Sequence, residues 1–464
     1  MRLANPWKSS ALFYRGMFMR KLSVFLLSAL LVACSSGDSF TDSPGPSSCS
    51  NDGQKQFVLD ALYDWYLWND ILPANLSIAD YATPEELVKQ VTLTYGPQDA
   101  GNNPIDLWSS VGSLVADQQY YGEGKYEGFG FSWRFEGNDM RFYRVFSGSP
   151  ADIGMLERGQ TVISMNGRTA ADINADEGIS AFFDANDAVD FEIRRVDATE
   201  FSSQITKAIV TIDPVPQDKV RIIDLGPGVP PLGYMELATF ISTATPKFDT
   251  VFADFVTAGV KDVVIDLRYN GGGLVSTAEQ LGDYLGGFAN DGLVFSNTVF
   301  NADRGPANNS RSFFARQGNS LDTIRFIVIA SRRTASASEL VTNSLIPYAD
   351  VWIVGDNTYG KPVGQKGFEF CEKILRPTSF KVTNADGAGE YFEGLPVDCP
   401  AADDLDIPTG DDLDPNIIAA KSISATGACP VASAPGGQQA ATIRIESERP
   451  DLRGPPEREF ADAY

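Results

Sequence analysis

The chain has 464 residues, a formal net charge of −24 and no histidine. Its length allows two or three domains, and 43% hydrophobic residues is ordinary for a folded protein. So acidic a chain without a basic patch argues against nucleic acid as a partner. The missing imidazole excludes Ser-His-Asp and Cys-His catalysis, His-ligated zinc and H-E-x-x-H metalloprotease chemistry.

In chain order, Met19-Arg20-Lys21 precedes an apolar run over residues 22–33. A basic head and a short apolar stretch predict a secretory signal, too short for a comfortable membrane span. Met19 is a better initiator than Met1, and the signal is expected to fill residues 1–34. Leu31-Val32-Ala33-Cys34 resembles the bacterial lipobox. That resemblance implies cleavage before Cys34, lipidation of its thiol and anchoring in a bacterial cell envelope; an ordinary signal peptide with a chance cysteine is the alternative. Ser35 after the cysteine, by analogy with known lipoproteins, points to the outer membrane, facing the periplasm. Residues 35–50, rich in Ser, Gly, Pro and Asp, read as a flexible tether. Cys49, Cys371, Cys399 and Cys429 remain. In an oxidising compartment they allow two disulfides, in any of three pairings.

Residues 54–68 carry helical spacing, with Phe57, Ala61, Leu62, Trp65 and Tyr66 near one face. Thr83-Pro84-Glu85-Glu86 spells a capping box with proline at the first helical position. Together these predict a small N-terminal helical region over 51–120. From there to 213 the pattern is short strands: one from Phe129-Gly130-Phe131, one over 140–146, one ending at the Asn166-Gly167 turn, then 188–194 and 205–212. With Ser149-Pro150-Ala151 and the glycine-rich bend at Gly159, this order resembles a PDZ domain of the bacterial protease type. The resemblance implies that Gly128, Phe129, Gly130 and Phe131 form the loop whose amides accept a peptide C-terminus; a small β-domain that binds nothing is the alternative.

From 214 to 400, strands near 233–237, 263–267, 324–330 and 351–354 alternate with helices near 246–258, 274–285 and 337–346. That alternation predicts an α/β sheet with covering helices, so the fold class is multi-domain α/β. Beyond 400, Asp403, Asp404, Asp406, Asp411, Asp412 and Asp414 crowd one stretch. The spacing is not that of an EF-hand, and residues 401–464 are expected to be an acidic extension with a solvated loop.

Three segments follow buried strands: Asp266-Leu267-Arg268-Tyr269-Asn270-Gly271-Gly272-Gly273, residues 331–339, and residues 355–365. In open α/β sheets such positions meet at one rim. Ser336, before a helix, would feel its positive dipole end. With no histidine, its base must be a carboxylate or a lysine whose ammonium is disfavoured, and Lys361 is the candidate. Asp266 and Arg268 are expected to be structural, an ion pair shaping their loop. Gly355-x-x-x-x-Gly360-Lys361 approaches a P-loop, but Pro362 supplies neither hydroxyl nor amide.

These segments resemble the signature stretches of the C-terminal processing, or tail-specific, serine peptidases. The match takes in Gly233-Tyr234-Met235-Glu236-Leu237 and Gly394-Leu395-Pro396-Val397-Asp398 and covers roughly residues 125–400. It implies Ser336 as nucleophile, Lys361 as base at the family spacing, Gln365 orienting the lysine, and Gly273 and Ala337 as oxyanion amides. It also implies an α/β catalytic core of that type, with an inserted PDZ-like domain over 121–213, and no metal or cofactor. The expected activity is endopeptidase cleavage of proteins or peptides with exposed C-termini. A non-catalytic peptide-binding adaptor on a peptidase scaffold is the alternative.

Overall fold

The computed structural model describes residues 45–430. The expected signal with Cys34, most of the tether and residues 431–464 lie outside the described residues.

The centre is a six-stranded sheet, in the order Cys399–Pro400, Asp350–Gly355, Arg325–Ala330, Asp262–Asp266, Leu232–Glu236, Val220–Ile223. Neighbouring strands are parallel except at the last, antiparallel edge. Both faces are covered, so the strands read as continuous apolar runs. Side chains alternate across the pleat. Val263, Ile265, Phe326 and Val328 pack with the helices Thr245–Ala258, Val275–Gly286 and Ala337–Leu345. Val264, Ile327 and Ile329 point the other way, onto Ile417, Ala420 and Ile423 of the helix Pro415–Thr426.

That last helix corrects the reading of the extension as a solvated acidic loop: residues 401–430 complete the second face of the core. Asp414 is buried and its carboxylate caps the helix through the amide of Asn416. Asp403 accepts from Arg134 (2.6 Å), Arg158 (2.8 Å) and Arg268 (3.2 Å), and from the hydroxyl of Tyr269. The basic partners come from distant sequence, so the local run of acids gave no sign of them.

Residues 131–206 form a five-stranded antiparallel sheet, Phe131–Glu136, Asp139–Val145, Thr161–Met165, Ala188–Arg194 and Glu200–Thr206. Phe129, Phe131, Phe142, Phe183 and Phe191 fill its core. The single strand expected over 205–212 is two, since Ala208–Thr211 leaves that sheet to pair with Lys125–Gly128.

The N-terminal region is not self-contained. Phe57, Leu62, Trp65 and Val91 share one core with Phe368, Phe370 and Leu375. Strand Ser110–Ser113 pairs with Lys373–Arg376, and Cys49 is bonded to Cys371 across 322 residues. The second disulfide joins Cys399 to Cys429. Helix Pro84–Tyr95 starts as the sequence spells it: Thr83 Oγ1 accepts from the Glu86 amide, while Glu86 reaches back to Ala82 rather than Thr83.

Candidate active site

The three segments meet at the carboxyl ends of the central strands. Thr334 Oγ1 donates to Leu267 O, the Ala335 amide to Asn270 O and the Tyr359 amide to Thr334 O. Ser336 sits immediately before helix Ala337–Leu345 with φ 54° and ψ −114°. A non-glycine residue held at positive φ is strained and persists only where its surroundings fix it. Gly272 comes so close that a β-carbon there would lie 2.7 Å from Ser336 Cβ and 2.9 Å from the Ala337 nitrogen. Only glycine allows that approach. Gly273 follows at φ 128°, bridged to Phe240.

Glu339 holds the serine and lysine segments together. Its side chain is fully buried. One carboxylate oxygen accepts from both the Ser336 amide (3.0 Å) and the Lys361 amide (2.8 Å). The other accepts from Thr358 Oγ1 (2.5 Å) and the Gly360 amide (2.7 Å). The Ser336 and Lys361 nitrogens are therefore no farther apart than two hydrogen bonds laid end to end. Burial pushes the Glu339 carboxyl above its ordinary range, against the pull of these four donors. Nothing in its charge flagged Glu339 in the sequence. The available signal was Ser336-x-x-Glu339, the spelling of a capping box before an apolar helix.

Lys361 is 5% exposed. Its Nζ donates to Gln365 Oε1 at 3.1 Å, and Gln365 Nε2 donates to the main-chain oxygen of Trp108 at 2.6 Å. The chain continues from Lys361 into a strand, Val363–Gln365, and not into the helix a P-loop requires. Ser338, the neighbouring hydroxyl, is buried and donates to Asn270 O, which commits it to the loop. Arg268 and Asp266 form the expected buried ion pair at 2.7 Å, and Asp414 joins Arg268 at 2.6 Å. The segment Gly128-Phe129-Gly130-Phe131 runs from the end of strand Lys125–Gly128 into the first strand of the five-stranded sheet, away from these segments in sequence. Phe129 and Phe131 are buried, and Gly130, at φ 91°, packs against Ser149.

Residues 231–400 match the family described as Peptidase family S41, and residues 53–110 match the Peptidase S41 N-terminal domain. Those two segments are peptidase family S41 domains. The chain's relatives include the chloroplastic C-terminal processing peptidase of Tetradesmus obliquus, 28% identical over 257 residues, 51% of this chain and 52% of that protein. The carboxyl-terminal-processing protease of Synechocystis sp. is 24% identical over 240 residues, 51% of this chain and 53% of the relative. The chain spans about half the length of these curated relatives. Among solved structures, an S41 protein from Bacteroides fragilis superposes with a TM-score of 0.64 at 22% identity, covering 80% of this chain and 97% of the other. The photosystem II D1 C-terminal processing protease gives 0.50 at 19% identity, with the same coverage. These structural likenesses show the S41 fold.

Proposed function

We propose that this chain is a serine endopeptidase with a Ser336–Lys361 dyad that cleaves protein or peptide substrates recognised through their C-terminal tails. Ser336 Oγ attacks the scissile carbonyl while Lys361 Nζ takes its proton. The amides of Gly273 and Ala337 stabilise the oxyanion. Lys361 returns the proton to the leaving amine, and water then releases the acyl group by the same path. Gln365 holds the amine in line. The observation that carries the reading is the shared Glu339 oxygen, which draws the backbone of nucleophile and base to one point.

Two features support the substrate side. A cavity of about 270 Å³ beside the lysine strand, lined by Leu67, Phe300, Val363 and Phe392 together with Asn301, Lys381 and Glu390, offers room for a substrate side chain with an apolar body and a polar end. In the PDZ-like unit, the loop Gly128, Phe129, Gly130 and Phe131 would take the tail by strand addition. Lipidation at Cys34 and an outer-membrane site facing the periplasm complete the proposal on the lipobox resemblance.

The test is proteolysis of a tailed protein together with labelling by a fluorophosphonate probe. Labelling at Ser336 and loss of cleavage in both Ser336→Ala and Lys361→Ala are expected. Full proteolysis by either variant overturns the dyad.

A further inference from the structure

A lysine acts as a base only if water is kept from its amine and its hydrogen-bond partner is held in one orientation. Both requirements lead to a residue of the N-terminal region, 253 positions before the lysine by difference of 361 and 108. We propose that Trp108 is a positioning residue that completes Lys361 as a base, its indole walling off the amine and its main-chain oxygen fixing the Gln365 amide. This rests on the dyad reading above.

The orientation follows from donors and acceptors. An amine N–H needs an acceptor, and the glutamine amide offers one oxygen and one donor group. Gln365 turned the other way would set its oxygen against Trp108 O and its N–H groups against the amine. The Trp108 carbonyl therefore selects the orientation in which Oε1 faces Lys361. With one N–H so engaged, a neutral amine keeps its lone pair for the serine proton.

The wall is the second element. Trp108 is 4% exposed and clusters with Ala335, Tyr359 and Val363, so its ring lies among the neighbours of both Ser336 and Lys361. The Lys361 nitrogen is 5.7 Å from the ring centroid. At that distance cation–π attraction is at its outer limit, whereas exclusion of water disfavours an ammonium more strongly.

Trp108 is held rigidly enough to do this. Asp106, itself buried, accepts from the Trp108 amide (3.0 Å), the Ser109 amide (3.2 Å) and Ser109 Oγ (2.6 Å). It also accepts from Thr378 Oγ1 (2.9 Å), which pins the loop to the catalytic domain. The titratable groups on the elements that hold the lysine are Glu339, which accepts from its main-chain amide, Asp106 on the tryptophan's own loop, Tyr359 two residues before it, and Tyr391, whose hydroxyl feels Glu339. The substitutions below leave all four in place.

The experiment is the pH dependence of Ser336 labelling by a fluorophosphonate in the full chain, which needs no substrate. Trp108→Ala admits water, so the acid limb of the profile should move up by about one pH unit, with about tenfold slower labelling below it and convergence above. Trp108→Phe keeps the wall and the main-chain oxygen and should restore the wild-type limb. Trp108→Leu opens one side only and should shift it about half as far; it decides the matter if the alanine variant does not fold. A limb that stays in place or moves down, or a uniform fall at every pH, overturns the role of Trp108. Absence of Ser336 labelling in the unaltered chain overturns the dyad itself and this inference with it.

Discussion

Glu339→Gln changes one buried oxygen to an amide group at nearly constant volume, and the structure sets what that costs. Four donors point at the carboxylate: the amides of Ser336, Gly360 and Lys361 and the hydroxyl of Thr358. Glutamine can accept at one position only. If its nitrogen turns toward Thr358, the hydroxyl can rotate to accept, but the Gly360 amide then faces a donor. If it turns toward the active-site side, both the Ser336 and Lys361 amides are opposed. The first arrangement is cheaper and leaves one buried donor unmet, a cost of about 1–3 kcal/mol. Glu339→Ala leaves all four unmet, and even with relaxation and entry of water it should cost about 4 kcal/mol or more. Glutamine in the cheaper arrangement keeps the oxygen that aligns Ser336 and Lys361, whereas Glu339→Ala removes it, and a shift on the order of 1 Å between the two segments should slow labelling of Ser336 by about 100-fold in the alanine variant. Urea denaturation gives the first quantity and fluorophosphonate kinetics the second. An alanine variant as stable and as fast as the unaltered chain would refute the claim that this carboxylate holds the two segments together.

Asp403→Ala should destabilise the protein by about 3 kcal/mol, at the low end for a broken buried pair, because Arg268 retains Asp266 and Asp414. Burial alone would raise the Asp403 carboxyl, but Arg158, Arg268 and Arg134 outweigh it and hold it well below the usual range. Its contribution is therefore full above about pH 4 and fades as pH falls, so the gap between variant and wild type, followed by urea denaturation, should close in acid. Asp283 behaves oppositely: burial raises it to about 6, against the Ala315 amide and Gln317. Stability from this group is present below about pH 4 and lost as pH rises through 6. After discounting for its partial exposure, the wild type should lose on the order of 1 kcal/mol over that window relative to Asp283→Asn. Parallel curves for the two proteins would show that Asp283 is not shifted.

Some of this molecule was written locally. The helix starting at Ala337, the strands ending at Asp266, Ala330 and Gly355, and the glycine run before Leu274 follow from periodicity and turn chemistry within a few residues. So does the convergence of three loops, because parallel strands of one sheet must end on one rim. The absence of histidine narrows the chemistry from composition alone. What tertiary structure alone decided are pairings over long separations. Asp403 reads as one more surface acid until Arg134 and Arg158 arrive from the five-stranded unit. Cys49 meets Cys371, and Trp108 meets Gln365, only when the N-terminal region shares its core with the strands after Lys361. Glu339 lies in the serine motif itself, yet its purpose depends on amides more than twenty residues away. Sequence patterns record what a residue does to its own helix or strand. A buried carboxylate or an amide's orientation is set by which distant donors the fold brings within about 3 Å of it.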